Sequence, residues 1–178
     1  KAYLKIMKDK TYWKLLYFDG FAGSGFIIKD KMPDIEITIG AARRIVEIEE
    51  PRGFDYYYFV EKNKANAKLL ASSTKDVFPN KEITIREDDC NLKLAELSKF
   101  LLSPKGRNFR VLAYIDPYGM QLEWKSIKNL SKTKIDIWIL VPTGMGVNRL
   151  LKKNGDISEI WLKRLELFLG MDSSTIKS

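Results

Sequence analysis

The sequence has no histidine and a single cysteine, Cys90, among its 178 residues. Without histidine, this chain cannot supply a histidine general base, a histidine-containing catalytic triad or a histidine-ligated metal. One cysteine excludes an internal disulfide and cannot make a cysteine-rich zinc site. We therefore expect no metal site in this chain.

Long hydrophobic runs are also missing. No segment approaches the roughly 18 consecutive apolar residues of a membrane-spanning helix, and no signal peptide is visible. The default expectation is a cytoplasmic protein that does not engage a membrane. Because the chain begins at Lys1 rather than at methionine, we expect it to be part of a longer protein.

What is present is an ordinary globular composition, with 45% hydrophobic and 30% charged residues. The length suits one domain, with an N-terminal helix over 1–14, a core over 15–145 and C-terminal helices over 146–178. The formal net charge of +8 would attract nucleic acid, and basic residues cluster in 1–14, 125–134 and 149–153. A diffuse positive balance equally fits simple solubility, so nucleic acid is one possible partner.

Apolar and aromatic runs alternate with segments of helical periodicity along the chain. The predicted strands are a run that ends at Asp19, followed by Tyr56–Val60, Glu82–Arg86, Val111–Ile115 and Ile135–Val141; the predicted helices are 40–49, 64–78, 92–102, 124–132 and 147–169. This alternation predicts an α/β fold with a doubly wound, mostly parallel, Rossmann-like sheet. The segment Phe26–Ile39 fits either a short strand or a loop.

Acids follow four of the five predicted strands: Asp19, Glu61, Asp88 with Asp89, and Asp116. In doubly wound sheets, ligands bind outside the carboxyl ends of the strands. We therefore expect these carboxylates at one ligand-binding edge. Strand ends are polar in any α/β protein, but nothing requires an acid each time.

A glycine loop follows the first strand, and its candidate cofactor-binding residues are Asp19, Gly20, Phe21, Ala22, Gly23 and Gly25. Glycines can adopt positive φ and let backbone N–H groups face a ligand. The acid suits a cationic or hydroxylated ligand such as S-adenosylmethionine, which carries a sulfonium, an ammonium and a ribose. The glycine spacing differs from the dinucleotide fingerprint. A tight turn without a ligand is the simpler interpretation.

Two later acids complete the candidate cofactor site. Glu61 can accept hydrogen bonds from both hydroxyls of a ribose, because a carboxylate has two acceptor oxygens. Asp89 can accept a hydrogen bond from the exocyclic amine of adenine, and Asp88 is the alternative acceptor. The Cys90 N–H can donate a hydrogen bond to a ring nitrogen of the adenine. The simpler interpretation is a set of surface acids at strand ends.

Asp116, Pro117 and Tyr118 are the candidate catalytic residues. Proline fixes φ and removes a donor, so the chain turns directly after the acid and its carbonyls point outward. These carbonyls and the Asp116 carboxylate can accept hydrogen bonds from an exocyclic amine, and Tyr118 can stack on a planar ring. A β-turn whose tyrosine caps the core would leave the same pattern.

These motifs resemble class I S-adenosylmethionine-dependent methyltransferases, with Phe18 to Gly25 in the place of motif I and Asp116 to Gly119 in the place of motif IV. The chain is more specifically similar to the three-Cys-motif partner family. That likeness covers roughly residues 12 to 145 and is carried by the glycine loop, the small-residue helix start Gly40-Ala41-Ala42, the strand end Phe59-Val60-Glu61-Lys62, and Trp124 after motif IV.

The resemblance implies a methyltransferase-like fold and an S-adenosylmethionine pocket, but no substrate, because that family's reaction is not established. Motif IV lacks the second proline of the adenine-specific form. A related form occurs in enzymes that methylate the exocyclic amine of guanine in transfer RNA. The chain also stops short of the closing antiparallel strands of the class I fold, so the sheet is expected to be incomplete or to continue beyond Ser178.

The leading hypothesis is a methyltransferase that uses S-adenosylmethionine to modify an exocyclic amine of a nucleic-acid base. The alternative is a non-catalytic protein of the same fold that acts as partner of a Cys-rich protein or of nucleic acid. A pocket blocked by Phe21 or by the Phe26–Ile39 segment would favour this alternative. A dinucleotide oxidoreductase is disfavoured by the glycine spacing.

Overall fold

The computed structural model describes residues 1–29, 36–117, 119–141 and 157–177. The strands are β1 Lys14–Asp19, β2 Phe26–Lys29, β3 Glu36–Ile39, β4 Tyr56–Val60, β5 Glu82–Arg86, β6 Phe109–Ile115 and β7 Ile135–Ile139. The helices are α1 Ala2–Met7, α2 Ala41–Val46, α3 Lys64–Ser73, α4 Cys90–Leu102, α5 Trp124–Lys128, α6 Glu159–Leu169 and α7 Ser173–Lys177, and a 3₁₀ turn covers Pro104–Gly106.

Five strands form one parallel sheet in the order β5-β4-β1-β6-β7. The predicted α/β, doubly wound, Rossmann-like fold is therefore confirmed. The chain passes outward from β1 through β4 to β5 and then crosses back to β6 on the other side of β1. This reversal makes the carboxyl ends of β1 and β6 a topological switch point, where ligands bind in sheets of this type.

Successive residues of the central strands point to opposite faces, as the strand period requires. On one face, Leu16 and Phe18 of β1 pack in a core with α4 and α6. On the other face, Leu15 and Tyr17 pack in a second core with α1, α2 and Leu70 of α3. Helices therefore cover both faces of the sheet, and β1 is the strand that both cores share.

Several boundaries differ from the predicted ones. The third helix ends at Ser73 instead of residue 78, because Thr74 leaves helical geometry while its N–H and hydroxyl both bond the Leu70 carbonyl, at 3.0 and 2.6 Å. The last strand ends at Ile139, and the helix before it ends at Lys128. Part of the predicted helix 147–169 and the basic cluster 149–153 lie outside the described residues.

The segment between the glycine loop and α2 contains an antiparallel strand pair, with Phe26 opposite Ile39. The pair begins at Gly25 and Gly40, where the Gly40 N–H donates to the Gly25 carbonyl at 2.8 Å. In the described part of the chain, β7 forms one border of the parallel sheet and pairs with no closing strand. None of the described helices has the length and apolarity needed to cross a bilayer.

Candidate functional site

The glycine loop is held at the switch point by the two strands that flank β1. The Gly20 N–H donates to the Tyr114 carbonyl of β6, and the Ala22 N–H donates to the Val60 carbonyl of β4, both at 3.0 Å. These bonds extend the parallel ladder past the end of β1. The loop therefore starts from a fixed position between β4 and β6.

Asp19 is the last residue of β1, and 2% of its surface is exposed. One carboxylate oxygen accepts the Phe21 N–H at 3.1 Å. Burial raises the pKa of Asp19 to about 7; the Phe21 hydrogen bond opposes this shift, and the negative charges of Asp116 and Glu61 add to it. Three of the predicted site acids are thus close enough to interact electrostatically, and the buried Asp19 keeps its proton to a higher pH than an exposed aspartate does.

Gly20 and Gly23 of the loop have different surroundings. A Cβ added to Gly20 would lie 2.5 Å from the Cys90 sulfur and 2.9 Å from Ile115 Cδ1, so Gly20 permits close packing against α4 and β6. Gly23 has φ of 66°, and a Cβ there would meet nothing within 4 Å. The loop is thus packed tightly at Gly20 and open at Gly23.

Glu61 connects the glycine loop to the end of β4. One carboxylate oxygen accepts the Gly23 N–H at 2.9 Å, and the other accepts the Asn63 N–H at 2.7 Å. Each carboxylate oxygen can accept a second hydrogen bond. Glu61 therefore fixes the loop, and its two oxygens can each accept one more hydrogen bond.

Asp89 and Asp88 have structural partners at the end of β5. Asp89 is the N-cap of α4 and accepts the Asn91 N–H at 2.9 Å, while its other oxygen lies 3.4 Å from Lys62 Nζ. Asp88 accepts the Asp89 N–H at 2.7 Å and pairs with Lys93 at 2.9 Å, and the hydrogen bond from Lys93 lowers the pKa of Asp88. The two acids thus also stabilise the start of α4.

Cys90 begins α4 and is 3% exposed. Burial raises the pKa of its thiol well above the usual range, with further contributions from the charges of Asp89 and Asp19. The side chain packs in the core between Gly20 and β6, and its thiol is therefore not a nucleophile.

Asn91 is a site residue that sequence reasoning missed. Its amide donates to the Gln121 carbonyl, and its oxygen accepts the Glu123 N–H, both at 2.9 Å. These two bonds join α4 to the loop that follows β6. No local pattern signals such a pairing, because the partners are some 30 residues away along the chain.

Asp116 is exposed at the end of β6, and Pro117 is buried. The hydroxyl of Tyr114 lies 3.5 Å from an Asp116 carboxylate oxygen. Gly119 takes φ of 75°, and the chain bends there. Tyr118 lies outside the described residues, so its predicted stacking role is untested.

Next to these residues, a groove of about 570 Å³ runs between α4, the loop after β6 and the helices α5 and α6. Asp89, Asn91 and Gln121 line its end nearest the switch point. Phe21 is half-buried and packs on the core beneath α4, so its ring is turned toward the protein interior. In the described part of the chain, no three acids or thiols cluster closely enough to hold a metal ion.

No protein-family model and no curated protein sequence matches the chain. A solved structure, protein LPL1258 from Legionella pneumophila strain Philadelphia 1, of family DUF519, is similar in fold, with a TM-score of 0.54. The two sequences are 19% identical, and the alignment covers 83% of this chain. This chain spans 66% of the length of that protein. The likeness agrees with the α/β architecture and extends to nothing else.

Proposed function

We propose that the crevice at the carboxyl ends of β1, β4 and β6 binds S-adenosylmethionine and that the protein transfers the methyl group to an exocyclic amine of a nucleic-acid base. The observation that carries the proposal is the hydrogen bond between Glu61 and the Gly23 N–H at 2.9 Å, next to the buried Asp19. This hydrogen bond holds the open glycine turn against Glu61, close to Asp19, at the switch point of a doubly wound sheet.

Each acid has a distinct task in this proposal. The Asp19 carboxylate attracts the positive charge of the cofactor, and that charge favours loss of the Asp19 proton on binding. Glu61 uses its remaining lone pairs for the ribose hydroxyls. Asp89 and the Cys90 N–H, at the start of α4, contact the adenine ring.

The transfer itself is mainly a matter of positioning, because the methyl group leaves an already activated sulfonium. The nitrogen lone pair forms the new N–C bond as the C–S bond breaks, and the amine then loses a proton. Asp116 and the Pro117 carbonyl are the acceptors that orient this amine, and the exposed Asp116 carboxylate passes the proton to solvent. A base in a duplex would have to be flipped out to reach them.

A specific observation also supports the alternative, a non-catalytic protein that docks a Cys-rich partner or nucleic acid. Both Glu61 oxygens already accept backbone N–H groups, and Asp89 already caps α4. Such acids are useful to the fold without any cofactor. The two hypotheses differ in whether labelled methyl groups reach an acceptor.

The proposal is tested by incubating the protein with methyl-labelled S-adenosylmethionine and either bacterial total RNA or genomic DNA, followed by digestion and nucleoside analysis. We expect label in an N-methylated adenine or guanine nucleoside. Asp116→Asn should reduce the rate roughly 10- to 100-fold, since an amide is a poorer acceptor and cannot take the proton. Asp76→Asn changes an exposed acid outside the site and should leave the rate unchanged. Label that appears equally with the Asp116→Asn variant, or in no nucleoside, would contradict the proposed reaction.

A further inference from the structure

The amino ends of β1, β6 and β7 carry a basic surface on the opposite side of the molecule from the crevice. We call it the amino-edge surface and define it by seven exposed residues: Lys10, Tyr12, Lys14, Lys105, Arg107, Lys132 and Lys134. They come from three separate parts of the chain, which the sheet brings together. The six-residue strand β1 separates this surface from Asp19, a distance of roughly 20 Å.

Direct contacts show that the three parts form one surface. The Lys14 N–H donates to the Asn108 carbonyl at 2.8 Å, and Lys134 Nζ donates to the Arg107 carbonyl at 3.1 Å. Lys134 Nζ also lies 4.3 Å from the centre of the Trp13 ring. The loop before β1, the turn before β6 and the turn before β7 are therefore in mutual contact.

Arg52 holds the first of these loops in place. Its guanidinium donates to the carbonyls of Met7, Lys10 and Trp13, at 3.2, 3.1 and 2.8 Å, and pairs with Asp55 at 3.0 Å. These bonds fix the backbone that carries Lys10, Tyr12 and Lys14. The surface is thus preorganised by a residue that does not belong to it.

The amino-edge surface carries six cations, which are Lys10, Lys14, Lys105, Arg107, Lys132 and Lys134. Among the described residues, none of the six forms an ion pair with a carboxylate. The nearby acids Asp55 and Asp136 are paired with Arg52 and Arg110 instead. Asp9 is the remaining acid on this loop. A concentration of unpaired cations in one place favours a polyanion.

An aromatic ring lies among these cations. Tyr12 is 67% exposed, and its ring centre is 5.3 Å from that of Trp13. An exposed tyrosine supported by a second ring is a stacking platform for an unpaired base, whatever its sequence. Phosphate-binding cations around such a platform are typical of proteins that bind single strands.

We propose that the amino-edge surface binds single-stranded nucleic acid, with Lys105, Arg107 and their neighbours on the phosphates and Tyr12 stacked on a base. This binding goes beyond the proposed methyl transfer, because the surface lies at the opposite ends of the strands from the crevice and needs no cofactor. The surface holds a strand away from the crevice, so binding there is independent of S-adenosylmethionine.

The test is fluorescence anisotropy with a labelled single-stranded oligouridylate of about 16 nucleotides, the upper range of single-strand site sizes. We compare wild type with Lys105→Glu/Arg107→Glu at about 50 mM and about 200 mM salt. Loss of two phosphate contacts should weaken binding at least roughly tenfold and lower the salt slope by about 1.4. Tyr12→Ala should weaken binding by roughly five- to tenfold with an unchanged slope.

The matched control is Lys68→Glu/Lys75→Glu, which makes the same charge change at exposed lysines in and after α3. It should bind like wild type. Equal losses of affinity in both double variants would mean that only the total charge matters. Tighter binding of a duplex of the same length than of the single strand would remove the role of Tyr12. Either result overturns the proposal. S-adenosylmethionine binding should be unchanged in all these variants, which separates this proposal from the previous one.

Discussion

The two ends of the parallel strands carry opposite types of ionisable side chain, with acids at the carboxyl ends, here called the carboxyl edge, and bases at the amino ends, here called the amino edge. At the carboxyl edge, Asp19, Glu61 and Asp116 come together around the glycine loop, with Asp88 and Asp89 beside them. At the amino edge, the amino-edge surface carries six exposed cations and the exposed Tyr12, and none of these cations pairs with a carboxylate in the part of the chain that the structure describes. A parallel sheet collects like strand ends on one side, so the topology separates charges that are scattered in sequence. The net charge of +8 of the whole chain therefore does not indicate which ionisable groups either edge carries.

The edges also differ in how their side chains are held. At the carboxyl edge, Asp19 and Glu61 accept hydrogen bonds from backbone N–H groups, whereas Asp116 is exposed. The lysines of the amino edge are exposed, and among the described residues they form no ion pair with a carboxylate. Fixed groups suit a small ligand of defined shape, whereas exposed cations suit a flexible polyanion. The predictions below test this contrast, beginning with the largest effect.

The first prediction concerns the pH dependence of stability that follows from the burial of the Asp19 carboxyl group. Its folded pKa of about 7 exceeds the unfolded value of about 3.9, so the folded chain retains a proton that the unfolded chain loses. The free energy of unfolding therefore falls as the pH rises from about 4 to about 7. Asp19→Asn should remove this loss and raise the free energy of unfolding by up to about 4 kcal/mol at pH 8.

Urea denaturation at pH 4.5 and pH 8 measures this difference. Asp76→Asn, at an exposed acid, is the control and should have no effect at either pH. If Asp19→Asn destabilises the protein at pH 8, then Asp19 is not a strained, buried carboxylate and the contrast between the two edges fails.

The second prediction tests the close packing beneath the glycine loop. Gly20→Ala would bring a methyl group 2.5 Å from the Cys90 sulfur, and we expect it to lower the free energy of unfolding by about 1–3 kcal/mol. Adding Cys90→Ala should recover part of this loss, because the contact disappears. Losses that are strictly additive in the double-mutant cycle, measured by thermal unfolding, would contradict the described packing.

The third prediction is the smallest and concerns the amino edge. Lys134→Ala removes the ammonium that lies 4.3 Å above Trp13, at a cost of about 0.5–1 kcal/mol at an exposed site. The neighbouring Lys132→Ala lacks such a contact and should cost less. Denaturation followed by Trp fluorescence measures both variants. A loss above about 2 kcal/mol at Lys134 would show that this edge is as rigid as the other.

Sequence pattern predicted the fold because the strand and helix periods of this chain are distinct. Apolar runs such as Tyr56–Val60 were sufficient to place the five strands, and the parallel sheet brings the acids that follow them to one edge. The same pattern could not give the roles of Asn91 and Arg52, whose hydrogen bonds span 30 to 45 residues. It also missed the amino-edge surface, since Lys105 and Arg107 lie outside the basic clusters visible in sequence.

The strand pair β2 and β3 shows a different limit. Alternating isoleucines indicated a strand near Ile39, but pairing with Phe26 depends on the contact between Gly25 and Gly40. That contact closes the pair at its base and is a tertiary feature. Sequence periodicity indicates which face of a strand or helix is buried. It does not indicate which other segment of the chain pairs with that strand.

We propose that Asp19 and Glu61 organise a cofactor site at the carboxyl edge. Calorimetric titration with S-adenosylmethionine at pH 8 and pH 6, in buffers of different ionisation enthalpy, tests it most directly. We predict tighter binding at pH 8, and release of the Asp19 proton at pH 6. We also predict no binding by the folded Asp19→Asn variant. Absence of binding by folded wild-type protein, or equal binding by Asp19→Asn, would contradict the account.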